Sequence, residues 1–335
     1  MAATPGNGVY SGDSLPNDIN AAVKYITEKM DEIIAIEAKT SGMQADPALV
    51  QATSVAGTVK LATLSTTGLG DYNKTKGYPT GSASLVWQSY QLQNDRGARF
   101  IIDRADNMQS GGVATAAATA AEFIRTQVIP EIDATRMAKL YSRLNTFNSV
   151  NDNVSAIAKP TKANIVGKLI EACDNVANAT GLDEGFTIYV NGDLRTAINT
   201  SSEVGLTREV TANAKGINTT TFSVNGNSIV FVPPERMNTT VTLNDGFTNA
   251  YSDTTTTPPT VDKTKFGFTG GSTPIWYTVL APRVAHGLTA INNLGIIPAE
   301  NSEQFDGDVI KYRIYHDLVV PDNKTPAAYM AIKSS

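Results

Sequence analysis

Sulfhydryls and imidazoles are nearly missing from this sequence. One cysteine, Cys173, in 335 residues excludes an internal disulfide framework. Two histidines, His286 and His316, offer too few ligands beside that cysteine for a metal centre. No run approaches the roughly 18 apolar residues of a membrane span. The opening MAATPGNGVYSGDSLPND lacks the basic and apolar regions of a signal peptide. Positive charge is also in deficit: 27 Lys and Arg stand against 32 Asp and Glu, a net charge of −5. That balance excludes a nucleic-acid-binding surface spread over the whole molecule. GxSxG, P-loop and strand-linked GxGxxG motifs are absent. Gly68, Gly70, Gly77 and Gly81 precede a predicted strand rather than a helix, so they cannot cradle a phosphate on a helix N-terminus. No cofactor or metal is expected.

What is present is a long mixed α+β chain with enough apolar content for a sizeable core, 41%. After a Gly/Pro/Ser-rich start, residues 17–40 carry Ile19, Val23, Ile26, Met30 and Ile33 at helical spacing. Two strands are predicted at 57–64 and 84–94, separated by the turn-rich tip STTGLGDYNKTKGYPTGS. Leu85 and Trp87 fall on one face of the second strand and Val86, Tyr90 and Leu92 on the other. A projecting hairpin that is apolar on both faces is marginal by itself in water and needs cover, which another copy could supply. Residues 110–144 read as one long Ala-rich helix. Pro130 removes a backbone donor there, so a kink is expected at 126–130.

Beyond an Asn/Ser-rich connection, TKANIVGKLIEACDNVANA is a helix that buries Cys173 among Ile165, Leu169 and Val176. GFTIYVN is a buried strand, GDLRTAINTS a second helix, and FSVNGNSIVFVP a hairpin turning at Asn225-Gly226. Residues 238–273, rich in Thr, Asn and Gly, are expected to form a long exposed loop. The chain ends in strands, of which DVIKYRIYHDLVV alternates most clearly. His316, in the middle of that strand, is expected to be a hydrogen-bonded structural histidine.

The stretch NDRGARFIIDRAD, residues 94–106, holds three acids (Asp95, Asp103, Asp106) and three arginines (Arg96, Arg99, Arg104) around Phe100-Ile101-Ile102. Two carboxylates across a cleft would suit glycoside hydrolysis. Acids matched one for one by arginines favour ion pairing instead, which lowers carboxylate pKa values and opposes a general acid. The stretch therefore reads as salt-bridged architecture whose planar guanidinium groups fix oriented contacts.

The phrases GLGDYNKTKGYPTGSASLVWQSYQLQNDRGARFIIDRADNM, AAEFIRTQVIPEIDATRMAKLYSRL and DGDVIKYRIYHDLVVPDNKTPAAY, in that order, resemble the major capsid protein of tailed bacteriophages, the HK-ninety-seven-type fold. The resemblance covers roughly residues 18–332. It implies an N-terminal arm with a helix (1–56), an extended hairpin or E-loop (57–102), and a peripheral (P) domain from 103–154 and 274–335 that contains the spine helix at about 110–144. An axial (A) domain would occupy 155–273. It further implies hexamers and pentamers joined into an icosahedral shell around double-stranded DNA held without sequence-specific binding. Portal and decoration proteins are implied partners, with scaffolding separate or absent because only about 56 residues precede the E-loop. The location implied is the virion, assembled in the host cytoplasm, with no membrane partner and no enzymatic activity. Subunit-interface residues would be Lys60, Tyr72, Lys74, Lys76, Trp87, Tyr90, Asp95, Arg96, Arg99, Asp103 and Arg104, with Pro130 at the bend of the spine. Some relatives crosslink a loop lysine; Lys60, Lys74 and Lys76 are candidates by position only, and tip-contact or solubilising roles fit them better. Charge reversal at Arg96 or Arg99 is expected to leave the fold intact and block assembly. The rivals are an encapsulin-like compartment shell, a surface-layer or adhesin protein, and a hydrolase using Asp103 or Asp106.

Overall fold

The computed structural model describes residues 37–45, 50–52, 57–104, 116–182, 185–212, 218–246, 251–253, 260–261, 266–297 and 306–334. The predicted helix at 17–40, apart from its last residues, lies outside the described residues, as does Asp106. The strands of the first half are β1 (Val50–Ala52), β2 (Thr58–Thr66), β3 (Ala83–Gln91), β4 (Asn94–Asp103), β5 (Val154–Ile157), β6 (Thr187–Asn191), β7 (Leu206–Ala212), β8 (Asn218–Val224) and β9 (Asn227–Val232). They are followed by β10 (Val241–Leu243), β11 (Tyr251–Asp253), β12 (Thr260–Val261), β13 (Phe268–Gly270), β14 (Ile275–Leu280), β15 (His286–Ile297), β16 (Gly307–Val319) and β17 (Ala328–Lys333).

The long helix forms where alanine-rich sequence gives high helix propensity. It runs as α1 (Ala116–Phe123), a five-residue π segment (Ile124–Val128) and α2 (Ile129–Thr146). The expected disturbance near Pro130 takes the form of this wider turn, in which the Ile129 amide donates to the Ile124 carbonyl. Pro130 sits in the first turn of α2, where a missing amide costs least. The extra residue of the π turn makes Val128 and Ile129 both buried neighbours, so the apolar stripe changes direction along the helix. Upstream, Ala120, Ile124, Val128, Ile129 and Ile132 bury against Leu294, Ile310, Tyr312 and Ile314. Downstream, Met137, Leu140 and Leu144 enter the main core.

That main core lies between α2, α3 (Ile165–Thr180) and a seven-stranded sheet of order β5-β17-β14-β6-β9-β8-β7. Cys173 is buried there, and burial pushes its thiol up to about 11, so it is not poised to attack. The Asn225-Gly226 turn joins β8 to β9 with φ of 46° and 81° at its two central residues, the geometry of a type I′ turn. This sheet draws strands from both of the expected P and A ranges. β14 and β17, assigned from sequence to the P domain, lie in the same sheet as the A-domain strands, β14 pairing with β6 and β17 pairing with β14 and β5. Backbone pairing rather than order along the chain sets that membership. The loop expected over 238–273 contains two short antiparallel ladders, β10 with β13 and β11 with β12.

A second sheet, β15-β16-β4, lies against α1, the π segment and α2. β4 pairs along β16 from Asn94–His316 to Asp103–Gly307. The E-loop range expected to run to residue 102 therefore ends earlier: the hairpin proper closes at Gln91, and 94–103 is body sheet. A third sheet, β1-β2-β3, forms the hairpin.

Candidate subunit interface

The hairpin is fixed at its base and uncovered along its length. At the base, Val59, Leu61 and Leu92 are buried with Ala45, Leu288 and Val319, and Tyr90 and Tyr315 lie against them. The Leu92 amide donates to the Gly57 carbonyl at 2.8 Å, closing the loop, and the Tyr315 hydroxyl donates to the Leu92 carbonyl at 2.8 Å. Gly57 has φ of 76°, and a Cβ there would stand 2.1 Å from the Tyr315 ring. Position 57 therefore admits only glycine without rearrangement. Asp317, 6% exposed, accepts from the Gln93 amide at 3.0 Å and faces Lys139 of α2 at 3.7 Å. The chain leaving the hairpin is thus tied to the long helix.

Farther out, cover ends. In β3 every residue is exposed except Tyr90, which is half-buried. Leu85 is 57%, Val86 51% and Trp87 41% exposed. Because successive strand residues point to opposite faces, both faces of the hairpin present apolar groups. Among the described residues β3 is also an edge, paired only with β2. At the tip, Tyr72 and Tyr78 touch at 5.0 Å between ring centroids while both remain exposed. The Asn73 side chain accepts from the Thr75 and Lys76 amides at 2.8 and 3.2 Å, which shapes the turn that carries Lys74 and Lys76. Lys60 is half-buried near the base.

The charged stretch resolves residue by residue. Arg96 points inward: its guanidinium donates to both Glu131 carboxylate oxygens at 2.6 and 3.2 Å and to the Asn244 and Gly267 carbonyls at 2.7 and 3.1 Å. It therefore braces β4 to α2 and to the β10–β13 arm. This corrects the expectation for its charge reversal. A glutamate there would face Glu131 inside the subunit, so the defect is one of folding before it is one of assembly. Asp95 points outward to Arg313 at 2.6 Å, and the hydrogen bonds from that guanidinium hold the Asp95 carboxyl below its usual range. Arg104 lies 3.6 Å from Asp306, both exposed. Arg99 and Asp103 are exposed on the outward face of β4. The apolar trio is split by strand alternation: Phe100 and Ile102 turn inward, Phe100 meeting Phe123 edge-on at 4.7 Å, whereas Ile101 is 41% exposed. The pairing expected within the stretch is instead made to other elements.

Sequence reasoning missed the most buried polar cluster. Asp133, fully buried, accepts from the Lys39 and Thr40 amides at 3.2 and 3.0 Å, from the Thr40 hydroxyl at 2.7 Å and from Arg236 at 3.1 Å. Arg136, one helical turn on, donates to the Thr40 carbonyl at 3.1 Å and to Gln44 at 2.7 Å. The pair clasps residues 39–44 to the long helix. The i, i+3 spacing of Asp133 and Arg136 was the available signal. His316 is 2% exposed, and its Nδ1 has no hydrogen-bond partner, unlike the bonded histidine expected. Among the described residues no group of three or more His, Cys, Asp or Glu could hold a metal ion, and no helix is long and apolar enough to cross a membrane.

No protein-family model matches the chain, and no curated protein matches it. Solved structures do. The capsid structure of cyanophage P-SCSP1u aligns with a TM-score of 0.50 at 10% identity, over 85% of this chain and 86% of that one. The mature capsid of bacteriophage PhiM1 aligns with a TM-score of 0.44 at 13% identity, over 82% of each chain. A virus-like particle from Pyrococcus furiosus aligns with a TM-score of 0.43 at 8% identity, over 92% of this chain and 98% of that one. The chain has the mixed α+β fold of HK-ninety-seven-type capsid proteins.

Proposed function

We propose that this protein is the structural subunit of an icosahedral viral shell, a major capsid protein that assembles through hexamers and pentamers around double-stranded DNA. The observation that carries the proposal is the hairpin, rigid at its base and apolar on both faces where its own body leaves it bare. Each 100 Å² of that apolar surface covered by a sister chain contributes about 2.5 kcal/mol. Such a contact joins unlike patches of identical chains, and repeated around a closed ring it builds a capsomer. Lys60, Tyr72, Lys74, Lys76, Trp87 and Tyr90 are then contact residues of the arm, and the role is mechanical rather than catalytic. The capsid fold shared with cyanophage P-SCSP1u supports this use of the hairpin.

The test is to express the chain with residues 62–87 replaced by a two-residue turn joining the Leu61–Gln88 pair, which removes the bare apolar faces and keeps the base, beside the full chain, and to image both by negative stain. Closed particles from the full chain and folded, unassembled subunits from the shortened one are expected. Particles from both would remove the hairpin as the assembling element. Particles recovered with protein cargo in place of DNA would identify a compartment shell instead.

A further inference from the structure

The strand register of the second sheet sets two cations against each other. Arg99 of β4 lies directly opposite Lys311 of β16, and both are exposed. Like charges directly opposed across an antiparallel pair disfavour the pairing. Neighbouring arginines on these strands have acidic partners: Arg96 has Glu131, Arg104 has Asp306 and Arg313 has Asp95. Neither Arg99 nor Lys311 has an ion-pair partner among the described residues. The conflict is thus left standing on the outward face of a sheet that is well satisfied elsewhere.

We infer that this face is a contact for a second copy of the chain, in which Arg99 and Lys311 together receive a carboxylate from the sister subunit. The inference rests on the shell-subunit reading and names a contact separate from the hairpin. A planar guanidinium beside an ammonium suits a single carboxylate, which can take a bidentate pair from one and a point charge from the other. Acidic partners are plentiful on a chain with 32 Asp and Glu against 27 Lys and Arg. Ile101, 41% exposed and two residue pairs along the ladder on the same face, opposite Val309, supplies apolar surface next to the charge, as protein interfaces do. A phosphate backbone fits less well. Asp103 stands on the same strand face about 13 Å from Arg99, and Asp95, as far on the other side, is already neutralised by Arg313, so the unpaired cations of this face are, among the described residues, two, enough for one carboxylate and too few for the track of a polyanion.

The experiment compares wild type with Arg99→Gln/Lys311→Gln, reading thermal unfolding of unassembled subunits and the protein concentration at which shells form. The double variant is expected to melt at or above the wild-type temperature, because the opposed charges are gone, while its assembly threshold rises by about ten-fold. Raising the salt concentration should raise the wild-type threshold and leave that of the variant nearly flat. Arg99→Lys, which keeps the charge, should assemble close to wild type and guards against a purely structural effect. Shells forming from the double variant at the wild-type concentration would overturn the inference while leaving the shell reading intact. Normal shells that retain less DNA would also overturn it and assign the pair to phosphate. A wild-type chain that forms no shells removes both readings.

Discussion

His316 is a buried imidazole among cations. It points from β16 toward the long helix, where burial first, and then the charges of Arg136 and Arg96, push its pKa down to about 4 from 6.5. The native state therefore refuses a proton that the unfolded chain accepts, and between those two values the unfolded state binds more protons. Stability contributed by the neutral residue is complete above pH 6.5 and is lost as pH falls, by about 1.4 kcal/mol per unit. His316→Gln, which cannot titrate, should flatten the decline between pH 6.5 and 5, above the range in which most carboxylates protonate. Urea unfolding at pH 7, 6 and 5 measures it, and an unchanged slope would show that the imidazole is not the group responsible. At this same scale, much of the charged stretch was legible in composition but not in partnership. That Arg96 belongs to Glu131 follows from the height at which β4 crosses α2, a relation between residues 35 apart in sequence.

Among the elements, the long helix is the one whose sequence and structure explain each other most directly. Alanine carries it, Pro130 interrupts it, and the π segment absorbs the interruption by shifting the apolar stripe from one core to the other. Arg125, inside that segment, is held by Glu37 at 3.0 and 2.9 Å, so the wider turn is also where the preceding chain is fastened. A single π turn inside an α-helix is rare and frequently sits at a functional site. Pro130→Ala restores an amide donor and favours regular α winding. If the strut bends here when a precursor shell expands, the variant should expand at a different rate, followed by time-resolved small-angle scattering. Equal rates would place the bend elsewhere.

For the whole molecule, the proposed assembly can be followed through the hairpin. Of the two tryptophans, Trp276 is 5% exposed in the core and Trp87 is 41% exposed on the arm. Burying Trp87 against a sister chain should shift its emission to the blue and protect it from acrylamide, in step with the rise of fast-sedimenting particles. Trp87→Phe should remove the change. Assembly without any spectral shift would mean that the arm stays in solvent.

The local pieces can be read from residue order, because their causes are local. Alternation marks β16, turn chemistry marks Asn225-Gly226, alanine and proline mark the strut, and apolar residues on both sides of β3 mark an arm in need of cover. Which strands share a sheet and which charges meet became visible with the folded chain. β14 and β17 joined the sheet that holds β6, the hairpin ended at Gln91, Asp133 and Arg136 clasped Thr40, and Arg99 came to face Lys311. Hydrogen-bond registers and ion pairs depend on the distance between segments far apart in the chain, and no spacing along the sequence encodes that distance.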